Sequence, residues 1–114
     1  GRSFHCSLKN AEEGSLADGI KTFPDRTDRV YLNPQDCSVI NDEALNRIIA
    51  VGHQHHLNVV GWNPGPALSV SMSDMPDDGY KTFVCVETAY ASETQKVTKE
   101  RPSHLAQSIR VAKR

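Results

Sequence analysis

The segment NDEALNRIIAV, residues 41–51, decides the fold class, because its pattern fits both a helix and a turn followed by a strand. Four apolar side chains would share one helical face: Ala44, Leu45, Ile48 and Ile49. Residues 47–51 nevertheless carry three β-branched side chains, which favour a strand. The neighbouring apolar runs are also short and bounded by Asn, Asp, Pro and Gly. We therefore predict a turn over residues 42–46 and then a strand.

Short apolar runs predict further strands on both sides of this segment. They cover residues 19–23, 29–32, 37–40, 57–62, 67–72, 81–88 and 107–111. The run at residues 81–88 is the most hydrophobic of them, and turn residues separate it from its neighbours. The 114 residues are enough for one domain at most. This spacing predicts an all-β protein, an antiparallel β-sandwich or part of one.

The amino-acid composition narrows the possible binding partners and the cellular location. Thirteen Lys and Arg against fourteen Asp and Glu give a net charge of -1. The chain therefore lacks the excess of positive charge that is typical of proteins that bind nucleic acid or an anionic membrane. No apolar run approaches the length of a membrane span. The cysteines are odd in number and widely spaced, at Cys6, Cys37 and Cys85. We therefore expect reduced thiols and a cytoplasmic location, with neither a nucleic-acid nor a membrane partner.

Three of the five histidines cluster within residues 53–56, which raises the question of a metal site. On a strand, His53 and His55 would point to one face while His56 points to the other. At most two of them could then bind one zinc ion, which needs three or four ligands. We expect polar side chains on a half-exposed strand and no metal site.

Two carboxylates are better candidates for chemistry. Glu87 closes the apolar run at residues 83–86, where burial would make it a better general base, but it could instead be a strand-edge residue facing water. Asp28 lies in a segment rich in Asp and Arg, residues 24–31, which fits either a site for sugar hydroxyls or a solvated turn. The residues alone leave both alternatives open.

Three runs resemble the glucose-6-phosphate 1-epimerases, or hexose-6-phosphate mutarotases, including their YeaD-type members. The runs are TDRVY at 27–31, VVGWNPG at 59–65 and DDGYKTFVCVE at 77–87, in that family's order and spacing. The resemblance covers residues 18–114, whereas residues 1–17 match poorly. It implies that residues 1–114 are a single partial domain, the C-terminal part of a galactose mutarotase-like β-sandwich.

The resemblance also implies a reaction and its residues. Members of the family interconvert the α and β anomers of hexose 6-phosphates without a metal or an organic cofactor. A glutamate acts as base on the C1 hydroxyl and a histidine protonates the ring oxygen. By motif, the glutamate falls on Glu87 and a substrate-binding aspartate on Asp28. Trp62, Asn63 and Pro64 match a signature expected near the site.

Some of the family's catalytic and substrate-binding residues have no counterpart in this sequence. The catalytic histidine and the phosphate-binding arginines belong to an N-terminal part that these residues do not match, and none of the five histidines lies in the relevant motif. We therefore expect this chain to need the missing N-terminal half as a partner and to be inactive alone. The alternative is a carbohydrate-binding β-sandwich without chemistry.

Overall fold

The computed structural model describes residues 2–6, 12–16 and 25–114, the first two segments for their backbone only. The strand predicted at residues 19–23 lies outside the described residues. The strands are β1 (Arg2–Cys6), β2 (Glu12–Leu16), β3 (Thr27–Leu32), β4 (Cys37–Asp42), β5 (Arg47–Gln54), β6 (Asn58–Asn63), β7 (Cys85–Ala89) and β8 (Ala106–Lys113). Helix α1 spans Gly65–Ser71 and a 3-10 turn spans Gly79–Lys81. The all-β prediction is confirmed.

The strands form two antiparallel sheets. The larger sheet has the order β2-β1-β3-β6-β7 and the smaller has the order β4-β5-β8. Val59 of β6 and Val51 of β5 are buried, and β5 contacts β7. Among the described residues, no helix is both long and apolar enough to cross a membrane.

The turn and strand predicted for residues 41–51 are confirmed. Asp42 accepts hydrogen bonds from Arg47 Nε at 2.7 Å and from the Leu45 backbone N–H at 3.2 Å. The hydrogen bond from Arg47 is the main reason that the pKa of Asp42 lies below its usual value. Asn46 takes a left-handed conformation with φ of 51°, which asparagine tolerates better than most residues. These local bonds close the hairpin between β4 and β5.

The strand predicted at residues 67–72 is wrong, because residues 67–71 belong to α1 and Met72 is its C-cap. Ser69 and Ser71 imitate the alternation of a strand, but Gly65 and Ser69 are four residues apart and both are buried in the helix. Pro66 favours a helical start, since its fixed φ suits the first turn. Gly65 has a φ of 68°, and a Cβ there would lie 2.5 Å from the backbone nitrogen of Arg26. Only glycine fits that position.

The strand predicted at residues 81–88 begins later than expected, at Cys85. The fully buried Asn63 donates from Nδ2 to the carbonyl oxygens of Tyr80 at 3.0 Å and Phe83 at 2.9 Å. Its Oδ1 accepts from the Gly65 N–H at 2.9 Å. The carbonyls of residues 80 and 83 therefore bond to a side chain of β6 and not to a strand ladder.

The face of the smaller sheet that carries Val51 is covered unevenly. Ile109 and Val111 of β8 pair with Val51 and Ile49 of β5, so all four side chains belong to one face. Val51 is buried, whereas Ile109 and Val111 are 63% and 61% exposed. The apolar face thus continues past the part that this chain covers.

Candidate functional site

Asp28 and Glu87 project from the same face of the larger sheet. Asp28 pairs with Trp62, while Glu87 pairs with Val60 two residues along the same strand. Residues opposite each other share a face, and the face alternates along each strand, so both carboxylates lie on the side of Trp62. With strands about 4.8 Å apart and about 3.4 Å per residue, their Cα atoms are roughly 12 Å apart. The structure brings them to one face without direct contact.

Trp62 lies on β6, the strand between those that carry the two carboxylates. It is half-buried, with its ring centroid 6.0 Å from that of Phe83. The two rings are tilted by 42°, an arrangement that stabilises aromatic pairs. The same face therefore carries an aromatic ring beside the two acids.

Glu87 lies at the outer edge of the described sheet and its side chain is exposed. Of the two alternatives that the sequence left open, the structure of this chain shows the strand-edge residue that faces water. Its neighbour on the same face is Cys85, and burial raises the pKa of that thiol, with the Glu87 charge adding to the effect. Cys85 is thus held as a protonated thiol, which makes it a poor nucleophile.

An open hollow of about 280 Å³ lies beside Glu87. Its lining residues come from β7 and from the start of β8: Val86, Glu87, Thr88, Leu105, Ala106 and Gln107. This volume is just below the range of about 300–1,000 Å³ that is typical of small-molecule sites. Asp28 does not line the hollow, so the hollow holds only one of the two candidate residues.

Asp28 is half-buried, and in the part of the chain that the structure describes no side chain hydrogen-bonds to it. The next residue, Arg29, belongs to the other face by strand alternation. Burial raises the pKa of Tyr31, and a hydrogen bond from Arg29 partly opposes that effect. Arg29 is thus engaged with Tyr31.

The histidine cluster has a different structure from the one predicted. Strand β5 ends at Gln54 and His55 has a φ of 60°, so His53 and His55 do not share a strand face. His53 is only 2% exposed and not half-exposed. Its pKa lies below the usual value because of burial and, to a smaller extent, the charge of His56, while Asp36 acts in the opposite sense. Among the described residues, no three His, Cys, Asp or Glu side chains converge on a metal position.

His53 instead forms a polar junction between the two sheets. Its Nε2 lies 2.9 Å from Ser38 Oγ and its Nδ1 lies 2.7 Å from Thr88 Oγ1. Gln107 donates from Nε2 to the same Thr88 oxygen at 3.0 Å and to the Val86 carbonyl at 3.1 Å. Sequence reasoning missed this group, because its members lie far apart in the chain.

Comparison with known proteins gives consistent matches. The family model described as Aldose 1-epimerase matches residues 4–106. The chain is 85% identical over all its 114 residues to "Putative glucose-6-phosphate 1-epimerase" of Escherichia coli (strain K12), and covers 39% of that protein. A protein of the same name in Salmonella typhimurium is 71% identical, with the same coverage. The chain thus spans about two-fifths of the length of these relatives.

A solved structure agrees with the described fold. It is the crystal structure of a "putative mutarotase (YeaD)" from Salmonella typhimurium, which matches with a TM-score of 0.93 and 71% identity. The match covers all of this chain and 39% of the other. The two antiparallel sheets described above therefore correspond to part of a longer mutarotase-like protein.

Proposed function

Because this chain belongs to the aldose 1-epimerase family, we propose that it is part of an enzyme that interconverts the α and β anomers of a hexose 6-phosphate. The observation that carries the proposal is the shared face of Asp28 and Glu87, across Trp62. The name of the Escherichia coli relative supports glucose 6-phosphate as the first substrate to test.

Glu87 is the proposed general base. It removes the proton from the C1 hydroxyl while the bond between C1 and the ring oxygen breaks, and an acid protonates that oxygen. The resulting aldehyde rotates about the C1–C2 bond, and ring closure on the other face of C1 reverses both proton transfers. One acid and one base are sufficient for this cycle.

The described face supports a sugar ring between the two acids. Trp62 provides an apolar floor for the C–H groups of the ring, which need no hydrogen-bond partner. Asp28 accepts a hydrogen bond from a hydroxyl on one side, and Glu87 reaches C1 on the other. The hollow beside Glu87 is open, so a further wall is needed to exclude water.

The remaining part of the longer protein is the proposed source of that wall, of the acid and of the phosphate-binding groups. The exposed Ile109 and Val111 fit this proposal, because an apolar sheet face gains stability when another layer covers it. On this proposal residues 1–114 are one partial domain and are inactive alone. We also propose a cytoplasmic location, in line with the free thiols of Cys37 and Cys85.

The proposal is tested by NMR exchange between the α and β anomers of glucose 6-phosphate at low buffer concentration. The test protein, called the extended protein below, joins these 114 residues to the remaining part of the Escherichia coli relative. We expect rapid exchange in the extended protein, and only the background rate with Glu87→Gln or with the 114-residue chain alone. The matched control is Glu93→Gln, since Glu93 is an exposed glutamate in the loop between β7 and β8.

The same experiment separates the enzyme from a carbohydrate-binding module without chemistry. A binding module would give the background rate in every sample, and Glu87→Gln would alter only its affinity for the sugar. Full exchange by the Glu87→Gln variant would contradict the role of this residue. Rapid exchange by the isolated chain would contradict the proposed need for the remaining part.

A further inference from the structure

Glu87 lies on β7, which in the described structure is hydrogen-bonded to a neighbouring strand along one side only. In the part of the chain that the structure describes, strand β7 pairs with β6 and is the last strand of its sheet. An edge strand lacks the second ladder that holds a central strand in place. The position of the Glu87 carboxylate therefore depends on what else restrains β7.

Side chains of the smaller sheet hold the residues on both sides of Glu87. Gln107 donates to the Val86 carbonyl at 3.1 Å and to Thr88 Oγ1 at 3.0 Å. His53 Nδ1 lies 2.7 Å from the same Thr88 oxygen. His53 and Gln107 are register partners on β5 and β8, so the two restraints come from neighbouring positions.

His53 is itself fixed at several points. Its ring is buried, and its Nε2 lies 2.9 Å from Ser38 Oγ on β4. Its backbone N–H donates to the Asp36 carbonyl at 2.8 Å. The imidazole is therefore held firmly in the smaller sheet, and its hydrogen bond restrains the Thr88 side chain.

The hydrogen bonds that join Ser38, His53, Thr88 and Gln107 can each be given one donor and one acceptor. Thr88 Oγ1 accepts from the Gln107 amide, and its own O–H can then donate to His53 Nδ1. That choice assigns the ring proton to Nε2, from which it donates to Ser38 Oγ. A neutral His53 thus has a hydrogen-bond partner at both ring nitrogens, as expected for a buried imidazole.

We propose that His53 and Gln107 are positioning residues, which hold β7 through Thr88 and Val86 so that Glu87 projects at a fixed place and angle. This inference rests on the proposed function, in which Glu87 is the base. Both side chains act from the side of the smaller sheet, and Gln107 also lines the hollow beside Glu87. A positioning role predicts an effect on kcat, whereas a role of Gln107 in binding would change KM.

Thr88 offers the sharpest test, because both restraints end on its hydroxyl. Thr88→Val in the extended protein removes that hydroxyl and keeps the branched shape. We expect kcat to fall about tenfold with KM nearly unchanged, since a displacement of 1 Å in a catalytic group costs up to about 100-fold. Thr88→Ser keeps a hydroxyl and should restore kcat.

The controls separate positioning from a loss of folded protein. A smaller folded fraction also lowers the apparent kcat, so each rate is divided by the folded fraction that circular dichroism measures, and the corrected kcat at unchanged KM is the decisive measurement. Thr98→Val removes a loop hydroxyl that accepts from the Arg101 N–H at 3.0 Å, and it should change neither value. Gln107→Leu lies on an exposed strand position, so it keeps the fold and should act in the same direction as Thr88→Val.

The outcomes also distinguish this inference from the proposed function. An inactive Glu87→Gln variant together with an unaltered kcat for Thr88→Val would overturn the positioning role alone. Full activity of Glu87→Gln would overturn the proposed function, and the positioning role with it. A lower kcat at unchanged KM in folded Thr88→Val, restored by Thr88→Ser, would establish the positioning role.

Discussion

Asp28 and Glu87 lie on one face of the larger sheet, two strands apart and offset by two residues along the strand direction. Side chains on one face with Cα atoms roughly 12 Å apart can hold opposite sides of one sugar ring. Their substitutions should therefore affect different kinetic constants. Glu87 is expected to determine kcat, and Asp28 to determine the affinity for substrate.

Asp28→Asn in the extended protein should raise KM for glucose 6-phosphate about tenfold while kcat changes little. The amide keeps the size of the side chain but accepts a hydroxyl less strongly than a charged carboxylate does, at a cost of about 1.4 kcal/mol. NMR exchange rates measured over a range of substrate concentrations give both constants. Asp77→Asn, in an exposed turn, is the control and should change neither. A large fall in kcat with unchanged KM would contradict this role.

The sequence predicted strands of the larger sheet correctly where the order of apolar and polar residues within the strand itself determines the structure. Residues 29–32 and 57–62 correspond to β3 and β6, and the turn at residues 42–46 was also predicted. The helix at Gly65–Ser71 was missed because alternating serines fit a strand as well as they fit a buried helical face. The late start of β7 was missed because the bonds from Asn63 depend on the folded chain.

The candidate site was predictable only as separate residues. The motifs located Asp28 and Glu87, but their shared face follows from the register through β6, which no local pattern contains. The junction at Thr88 was not predictable, because His53 lies 35 residues before it and Gln107 lies 19 residues after it. In the sequence, His53 also belongs to a cluster that resembles metal ligands.

Asn63→Ala should lower the free energy of unfolding of the extended protein by about 3 kcal/mol. It removes three hydrogen bonds and leaves buried backbone groups unsatisfied, each of which costs about 1 kcal/mol or more. Urea unfolding followed by circular dichroism measures the change. Asn41→Ala, on an exposed position of β4, should cost less than about 0.5 kcal/mol. Equal effects of the two substitutions would contradict a special role for Asn63.

His53 should make stability depend on pH below neutrality. Burial and the charge of His56 lower its pKa from 6.5, with Asp36 opposing, so the unfolded chain binds a proton before the folded one does. The stability is fully present above the unfolded pKa and is lost as the pH falls through the folded pKa. His53→Gln should therefore flatten the pH dependence of the unfolding free energy between pH 7 and 5, whereas His104→Gln, at an exposed position, should not. An unchanged slope in His53→Gln would assign the dependence to other groups.

The exposed face of β8 should cause the isolated 114-residue chain to self-associate. Replacing Ile109 and Val111 with threonine keeps the β-branched shape but reduces the apolar area, so the double variant should shift the chain toward monomer in sedimentation at micromolar concentrations. Val39→Thr is the matched control, because Val39 is 64% exposed and pairs with Ala50 on the opposite face of the same sheet. In the extended protein, the double variant should instead lower the unfolding free energy, since the proposed covering layer buries both side chains. An equal effect of Val39→Thr on association would show that general exposure, and not this face, drives it.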